Sequence, residues 1–328
     1  MADWLREIDR FAEAEAEPQP ASGDASFRRY FRLRAEQQSF IAMDAPPEQE
    51  DCKPFIRIAG YLEAMQLNAP RVLEANLDDG FLLLTDLGST QYLDKLQSDP
   101  NAAASLYDNA LRVLNLMQKR GEAFQSLLPQ YDSALLNFEL SLFRNWLCEE
   151  HLDIEFSDDD ESSWRQLCDI LVSSALDQPQ VFVHRDYHSR NLMVTGRNDP
   201  GILDFQDAVE GPLTYDLVSL LKDCYVRWPQ ARVSDWAHSF YGNTDESTQK
   251  QLDESQFMRY FEFMGVQRHL KAAGIFARLN HRDGKPGYMA DVPRTLSYIV
   301  ELGPRHDELE FLIDLIKNRC LPALQGSS

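Results

Sequence analysis

Apolar positions in the first ninety residues change period several times. Trp4, Leu5, Ile8 and Phe11 recur at helical spacing behind Asp3, which predicts a short helix capped by that aspartate. Residues 13–23, with Glu-Pro-Gln-Pro and Ser-Gly, read as a linker. Strands are predicted at 27–33 and 40–43, joined by an Ala-Glu-Gln-Gln hairpin and closed by Pro46-Pro47. Phe55, Ile58, Leu62 and Met65 predict a helix over 54–66. Two more strands follow at 72–74 and 81–84, then a turn at Asp86-Leu87-Gly88. After residue 90 the period is mostly helical. Helices are predicted at 102–120, 133–150, about 162–176, about 213–227, 255–280, 292–302 and 307–318. Three short strands interrupt them at 181–183, 192–195 and 201–203. The acidic run 158–161 reads as a solvated helix start. The pattern is α+β. Residues 1–88 form a small N-lobe, a five-stranded antiparallel sheet with one helix, and residues 89–328 form a larger, mostly helical C-lobe.

Composition narrows the class. The 328 residues are 44% hydrophobic and 11% aromatic, enough for packed cores in about two domains. No run approaches the ~18 apolar residues of a membrane span, and the first twenty residues lack the apolar core of a secretory signal. Five cysteines (52, 148, 168, 224 and 320) without a CxxC pair fit a reduced, cytoplasmic protein better than a disulfide scaffold or a zinc site. A net charge of -21 repels nucleic-acid phosphates and anionic lipid, so neither is expected as a partner. No GxG pair exists, and the single Gly-Lys, Gly284-Lys285, runs into Pro286. The Rossmann fingerprint, the Walker loop, HExxH and GxSxG are therefore all missing.

One stretch carries chemistry. Val181-Phe-Val-His184-Arg-Asp186-Tyr-His188-Ser-Arg-Asn191 is followed, thirteen residues after Asn191, by Asp204 behind Ile202-Leu203. Phosphoryl transfer needs a carboxylate that orients the attacking hydroxyl and accepts its proton. It also needs an amide oxygen and a second carboxylate for magnesium, because hard cations take oxygen ligands. H-x-D-x-x-x-x-N followed by Asp supplies all three between apolar strands that fix their geometry. His184 is expected to brace the loop, Asp216 to hydrogen-bond it, and Phe205 to pack.

These residues resemble the protein-kinase-like fold, and in particular the aminoglycoside phosphotransferase and choline kinase family, over about 22–300. The resemblance implies that the two lobes form a bilobal kinase, with Asp186 as catalytic base and Asn191 and Asp204 as magnesium ligands. His184 and His188 match the family's H-x-D-x-H-x-x-N variant, typical of small-molecule kinases. A closer likeness lies in Ser26-Phe-Arg-Arg-Tyr-Phe-Arg32, Met43-Asp-Ala-Pro-Pro47, Gly80-Phe-Leu-Leu-Leu-Thr-Asp-Leu-Gly88, Leu203-Asp-Phe-Gln-Asp-Ala208, Gly211-Pro-Leu-Thr-Tyr-Asp216 and Cys224-Tyr-Val-Arg-Trp-Pro229. These segments are similar to the bacterial anomeric amino-sugar kinases, which use ATP on the anomeric hydroxyl of N-acetylmuramate and N-acetylglucosamine in cell-wall recycling. The resemblance implies ATP and Mg2+ as cofactors, an amino sugar as substrate and a monomer. The sequence departs from the wider pattern in three places. Arg185 stands for a common Gly, Gln206 for the Gly of protein kinases, and Met43 for a phosphate-binding Lys.

Further site residues follow as expectations. Adenine is expected between the lobes, against the backbone of Leu84, Asp86 and Leu87. With Met43 apolar, an arginine must clamp the phosphates: Arg28 first, then Arg32, beside a loop at 22–26 that includes Ser26. Strand alternation puts Arg28, Arg32 and Arg34 on one face and Arg29 on the other. The sugar is expected near Asp186, His188, Asp207, Tyr225, Arg227 and Trp228, with an aromatic platform under the pyranose. Arg227, then Arg278 and Arg294, is expected to read the lactyl carboxylate of muramate. Two alternatives stand beside this reading. One is an aminoglycoside or other small-alcohol phosphotransferase, which the acidic surface would suit. The other is a nucleotide-binding pseudokinase, supported only by the missing lysine.

Overall fold

The computed structural model describes residues 1–8, 11, 18–23, 27–35 and 37–326. Its first elements are α1 (Ala2–Arg6), β1 (Gln19–Gly23), β2 (Arg29–Ala35), β3 (Gln38–Asp44), α2 (Cys52–Ala64), β4 (Val72–Asn76), β5 (Phe81–Thr85), α3 (Tyr92–Ser98) and α4 (Ala103–Gly121). There follow α5 (Ser133–Leu142), α6 (Asp158–Leu176), β6 (Gln180–Val183), β7 (Leu192–Met193), β8 (Gly201–Ile202), β9 (Val209–Pro212) and α7 (Tyr215–Leu221). The last are α8 (Gln230–Gly242), α9 (Glu246–Gln251), α10 (Glu254–Asp283), α11 (Val292–Val300), α12 (Glu310–Leu315) and α13 (Leu321–Gly326). The chain divides into two compact units. One comprises Met1–Phe124 with Ser189–Ala208, the other Gln125–His188 with Val209–Ser328.

The first unit is built on an antiparallel sheet in the order β1-β2-β3-β5-β4. Alternation along β2 puts Leu33 and Ala35 on one face. There they join Phe40, Ala42, Leu83 and the apolar residues Leu5 and Phe11 near the amino terminus in one core cluster. The helix behind that cluster begins at Ala2, so Asp3 lies in its first turn rather than at its cap. The expected linker ends differently: Gln19–Gly23 pairs with β2, Gly23 opposite Arg29. This edge strand, Gln-Pro-Ala-Ser-Gly, carries Pro20 and has no apolar alternation to give it away. Gly80 closes the β4–β5 turn at φ +74, where a Cβ would lie 1.9 Å from the Ala45 carbonyl oxygen. Asp51 caps α2 by accepting the Lys53 N–H at 2.9 Å.

The second unit is helical around α10, which packs on α5, α6, α7 and α11. Its apolar core includes Leu140, Phe143, Leu167, Leu270 and Phe276. Gly274 lets α10 reach the backbone at the end of α5, where a Cβ would fall 2.3 Å from the Leu142 carbonyl carbon. The chain turns there into a π-helical segment, Phe143–His151. Ser157 caps α6, and Asp160 reaches back to its N–H, so the acidic run is a capping box. Beyond β1, several elements were not expected: α3, α9 and α13; β9, which pairs with β6; and α8, whose buried Val233, Trp236, Ala237 and Phe240 form a plain helical stripe. The helix expected at 213–227 stops at Leu221, leaving 222–229 as a loop.

Candidate active site

In the second unit, buried strand β6 delivers the loop from His184 to His188. Asp216, in the first turn of α7, accepts the backbone N–H groups of His184 at 2.6 Å and Arg185 at 2.9 Å. Burial pushes its carboxyl up to about 7, against the pull of those two bonds. The Asp186 N–H donates to His184 Nδ1 at 3.2 Å, and His184 lies buried edge-on to Tyr187. Arg185 sits at φ +78, a left-handed conformation that costs a side chain about 1–2 kcal/mol.

Charged groups surround this loop. Arg185 forms an ion pair with Glu139 of α5, and Lys271 Nζ of α10 lies 2.9 Å from the same carboxylate. Lys271 also donates to the Tyr215 hydroxyl at 2.8 Å. Tyr131 and Gln267 donate to the other Glu139 oxygen. Burial pushes the Asp186 carboxyl up, but Lys271, His188, Arg268 and Arg185 outweigh it and hold the carboxyl below its ordinary value. Asp186 is thus kept as an anion, able to accept a hydrogen bond and then a proton.

In the first unit, Asn191 Nδ2 donates to Asp204 Oδ2 at 3.3 Å, and Gln206 donates to Oδ1 at 2.7 Å. Asp204 takes φ +63. Strands β7 and β8 bring the pair together, and Leu203 N–H donates to the Asn191 carbonyl at 2.9 Å. Phe205 is buried against Phe55 of α2, ring centroids 4.7 Å apart. Arg28 pairs with Glu50 at 3.0 Å, both side chains largely covered. Burial opposes the charge of Arg28, yet Tyr30, Glu50 and Asp204 hold its pKa above the ordinary value. Met43 is fully buried opposite Leu82.

Arg32 makes a fork to Asp86 at 2.7 and 3.1 Å and donates to the Gly88 carbonyl at 2.7 Å. Burial pushes the Asp86 carboxyl up, but hydrogen bonds from Arg32, Gly88 N–H and Ser39 hold it below the ordinary value. Leu84 is buried. Leu87 lies against Gly201 and, with Thr85, Gln66, Asn68 and Arg71, lines a cavity of about 420 Å³. Ser26 lies outside the described residues. Asp207 is exposed.

The residues expected at the sugar lie in the second unit. His188 meets Tyr225 edge-on at 5.5 Å, Tyr225 lies 6.5 Å from Phe276, and Phe276 stacks on Tyr288 at 5.7 Å. Trp228 and Trp236 meet edge-on at 5.8 Å, and the Arg232 guanidinium lies over both rings. The Arg227 guanidinium is bound to Ser297 and Glu301 and lies over Tyr298. Arg294 donates to the carbonyls of Cys224 and Tyr225 at 2.9 and 3.0 Å.

The profile of a family described as "Phosphotransferase enzyme family" matches residues 17–249. A curated Pseudomonas aeruginosa protein named N-acetylmuramate/N-acetylglucosamine kinase is 48% identical, covering 92% of this chain and 88% of its own. The chain belongs to this kinase family of phosphotransferases. A kinase of the same name from Neisseria meningitidis is 38% identical over 96% of this chain and 94% of its own. Among solved structures, a spectinomycin phosphotransferase in complex with ADP and spectinomycin matches with a TM-score of 0.61 at 12% identity, covering 90% of this chain and 96% of that one. A Streptococcus pneumoniae choline kinase matches at 0.59 and 11%, covering 91% and 98%. The protein-kinase-like fold expected from the sequence is the fold of these phosphotransferases.

The donor set of this phosphotransferase fits magnesium on a nucleotide. Among the described residues no three His, Cys, Asp or Glu side chains gather to hold a metal. An amide and one carboxylate come together at Asn191 and Asp204, and a magnesium ion held so draws its remaining ligands from phosphates and water. Glu139, Arg268, Lys271 and Glu50 were not singled out from the sequence. For three of them a signal exists. Arg268 and Lys271 stand three apart on one helix face among the buried positions of α10, and Glu139 lies among the buried positions of α5. Nothing local marks Glu50.

Proposed function

We propose that the chain is an ATP-dependent kinase for the anomeric hydroxyl of N-acetylmuramate and N-acetylglucosamine, serving cell-wall amino-sugar recycling. The observation that carries this reading is the anionic Asp186, held in a loop tied down by Asp216 and surrounded by Lys271, Arg268 and Arg185. The choice of sugar rests on the relatives' names, at 38–48% identity over most of the chain.

Asp186 accepts the proton of the anomeric hydroxyl as its oxygen attacks the γ-phosphorus. The bond from that phosphorus to the ADP oxygen breaks, giving ADP and the sugar 1-phosphate. Asn191 and Asp204 would hold magnesium, which when bound would supply positive charge to the phosphates. Arg28, held by Glu50, adds fixed charge in place of the lysine that Met43 excludes. Adenine lies against the backbone of Leu84 to Leu87, and His188, Tyr225 and Trp228 face the sugar. Arg227 already has a carboxylate in Glu301, so it straps the 222–229 loop instead of reading the lactyl group. No helix of the described residues is long and apolar enough to cross a membrane. The free, buried cysteines suit a reduced, cytoplasmic protein.

ATP turnover measured in parallel with N-acetylglucosamine, N-acetylmuramate and kanamycin tests the reading. Turnover is expected with the two amino sugars, and Asp186→Asn should lower it by orders of magnitude while ATP still binds. Turnover with kanamycin alone, or an Asp186→Asn variant of near-normal rate, would overturn it.

A further inference from the structure

Arg185 is the residue immediately before Asp186, and its N–H, its carbonyl and one end of its guanidinium are all held. Its N–H is taken by Asp216 of α7 at 2.9 Å. Its carbonyl accepts from Ser219 of α7 and Arg268 of α10, each at 3.5 Å. Its guanidinium is paired with Glu139 of α5 and lies over the Tyr131 ring at 5.9 Å. Three helices thus grip one residue whose backbone sits at φ +78. A side chain resists that conformation unless its surroundings fix it.

Glu139 is the hub. It is 2% exposed, and it binds Arg185 and Lys271 through one oxygen and Tyr131 and Gln267 through the other. A carboxylate buried so deeply requires its cations, and here they come from the loop and from α10.

We propose that Glu139 and Arg185 are positioning residues: their ion pair, balanced by Lys271, fixes the backbone that aims Asp186 at the acceptor hydroxyl. The pair touches no substrate and makes or breaks no bond. The proposal rests on the reading of Asp186 as the catalytic base. Arg185→Gly is the cleanest probe. Glycine takes φ +78 freely, and Glu139 keeps Lys271 as counter-ion, so the fold is expected to survive. In steady state the variant should lose at least tenfold in kcat, with the KM for ATP within twofold and a single cooperative thermal transition that shows it folded. Arg185→Lys, which restores a cation, should recover part of the loss. Glu139→Gln combined with Arg185→Gly should lose less than the sum of the two single losses, because the two residues share one contact.

A second measurement uses no substrate. Amide hydrogen exchange across residues 184–187 should quicken at least tenfold in Arg185→Gly, and remain at the wild-type rate in a surface control, Lys250→Ala. If the wild-type chain phosphorylates no amino sugar, the reading of function falls, and exchange alone decides whether the clamp exists. Wild-type kcat in Arg185→Gly overturns the proposal, whatever the exchange. So does unchanged loop exchange, whatever the kcat.

Discussion

The Asn191 amide and the Asp204 carboxylate meet at 3.3 Å although thirteen residues separate them. The short β7–β8 pair makes that possible, and it is anchored well away from the two side chains. Asp199 accepts from the Tyr92 hydroxyl at 2.6 Å and from Asn109 at 3.1 Å. The Asn68 carbonyl accepts the Ile202 N–H at 2.7 Å. Asp204→Ala should therefore leave the hairpin in place and remove the charge expected on magnesium. Calorimetric titration with ATP should show binding without dependence on magnesium. Magnesium-dependent binding of wild-type strength in that variant would take Asp204 out of the metal site.

Arg28 and Arg32 were expected as first and second choice for the phosphate clamp, and their surroundings now separate them. Arg32 spends its guanidinium on Asp86 and the Gly88 carbonyl. Arg28 pairs with Glu50, shares a hydrogen bond with Tyr30 and interacts electrostatically with Asp204. Arg28→Ala should raise the ATP Michaelis constant more than threefold, about 0.7 kcal/mol. Arg32→Ala should raise it less, and instead cost about 2 kcal/mol of stability through the lost bonds to Asp86. A thermal melt beside the kinetics checks both, and the reverse pattern would move the clamp to Arg32.

Arg227 is bound by Ser297 of α11 and by Glu301 just beyond it, and Tyr298 donates to the Val226 carbonyl at 3.3 Å. These contacts tie down the loop that bears Tyr225 and Trp228. Arg227→Ala should raise the Michaelis constants of N-acetylglucosamine and N-acetylmuramate by the same factor. A selective loss for N-acetylmuramate would restore the guanidinium as a reader of its lactyl carboxylate.

How much of this was legible depended on whether a residue's role is local. The strand–loop–strand run around Asp186 and Asn191 announces itself, because each polar residue is spaced along one short stretch. Four of the five strands of the sheet were legible as short apolar runs, as at Phe40 to Met43. Strand β1 escaped because its register with Arg29 to Arg32 is fixed by backbone bonds, to which composition is blind. α8 was legible and simply not read, since Val233, Trp236, Ala237 and Phe240 stand at helical spacing. Glu139 and Lys271 are 132 positions apart in sequence, and only the packing of α5 on α10 makes them one ion pair. The same holds for Arg28 and Glu50, an ion pair that no periodicity encodes.

Lys222, just beyond α7, offers a test of the second unit's interior. It is 8% exposed, its Nζ lies 4.7 Å from the Phe261 ring centroid, and no carboxylate approaches it within 4.0 Å among the described ion pairs. The nearby Glu262 is instead bound to Arg305 and His306. Burial lowers the Lys222 pKa to about 8, against the pull of Glu262 and Glu301 and with the push of Arg305. The ordinary value is 10.5. Below pH 8 both folded and unfolded chains carry this proton, and the fold bears the whole cost of a buried ammonium. Between pH 8 and 10.5 the unfolded chain holds the proton and the folded chain has released it, so stability rises with pH in that window. The difference between the two values corresponds to about 3 kcal/mol. Lys222→Met, which keeps the volume and removes the charge, should exceed the wild type in unfolding free energy by roughly that amount at pH 7. The advantage should shrink steadily toward pH 10.5. Urea titrations of both proteins at four pH values would measure it. A difference that stays constant with pH would mean that Lys222 titrates alike in the folded and unfolded chains, and that its ammonium is solvated after all.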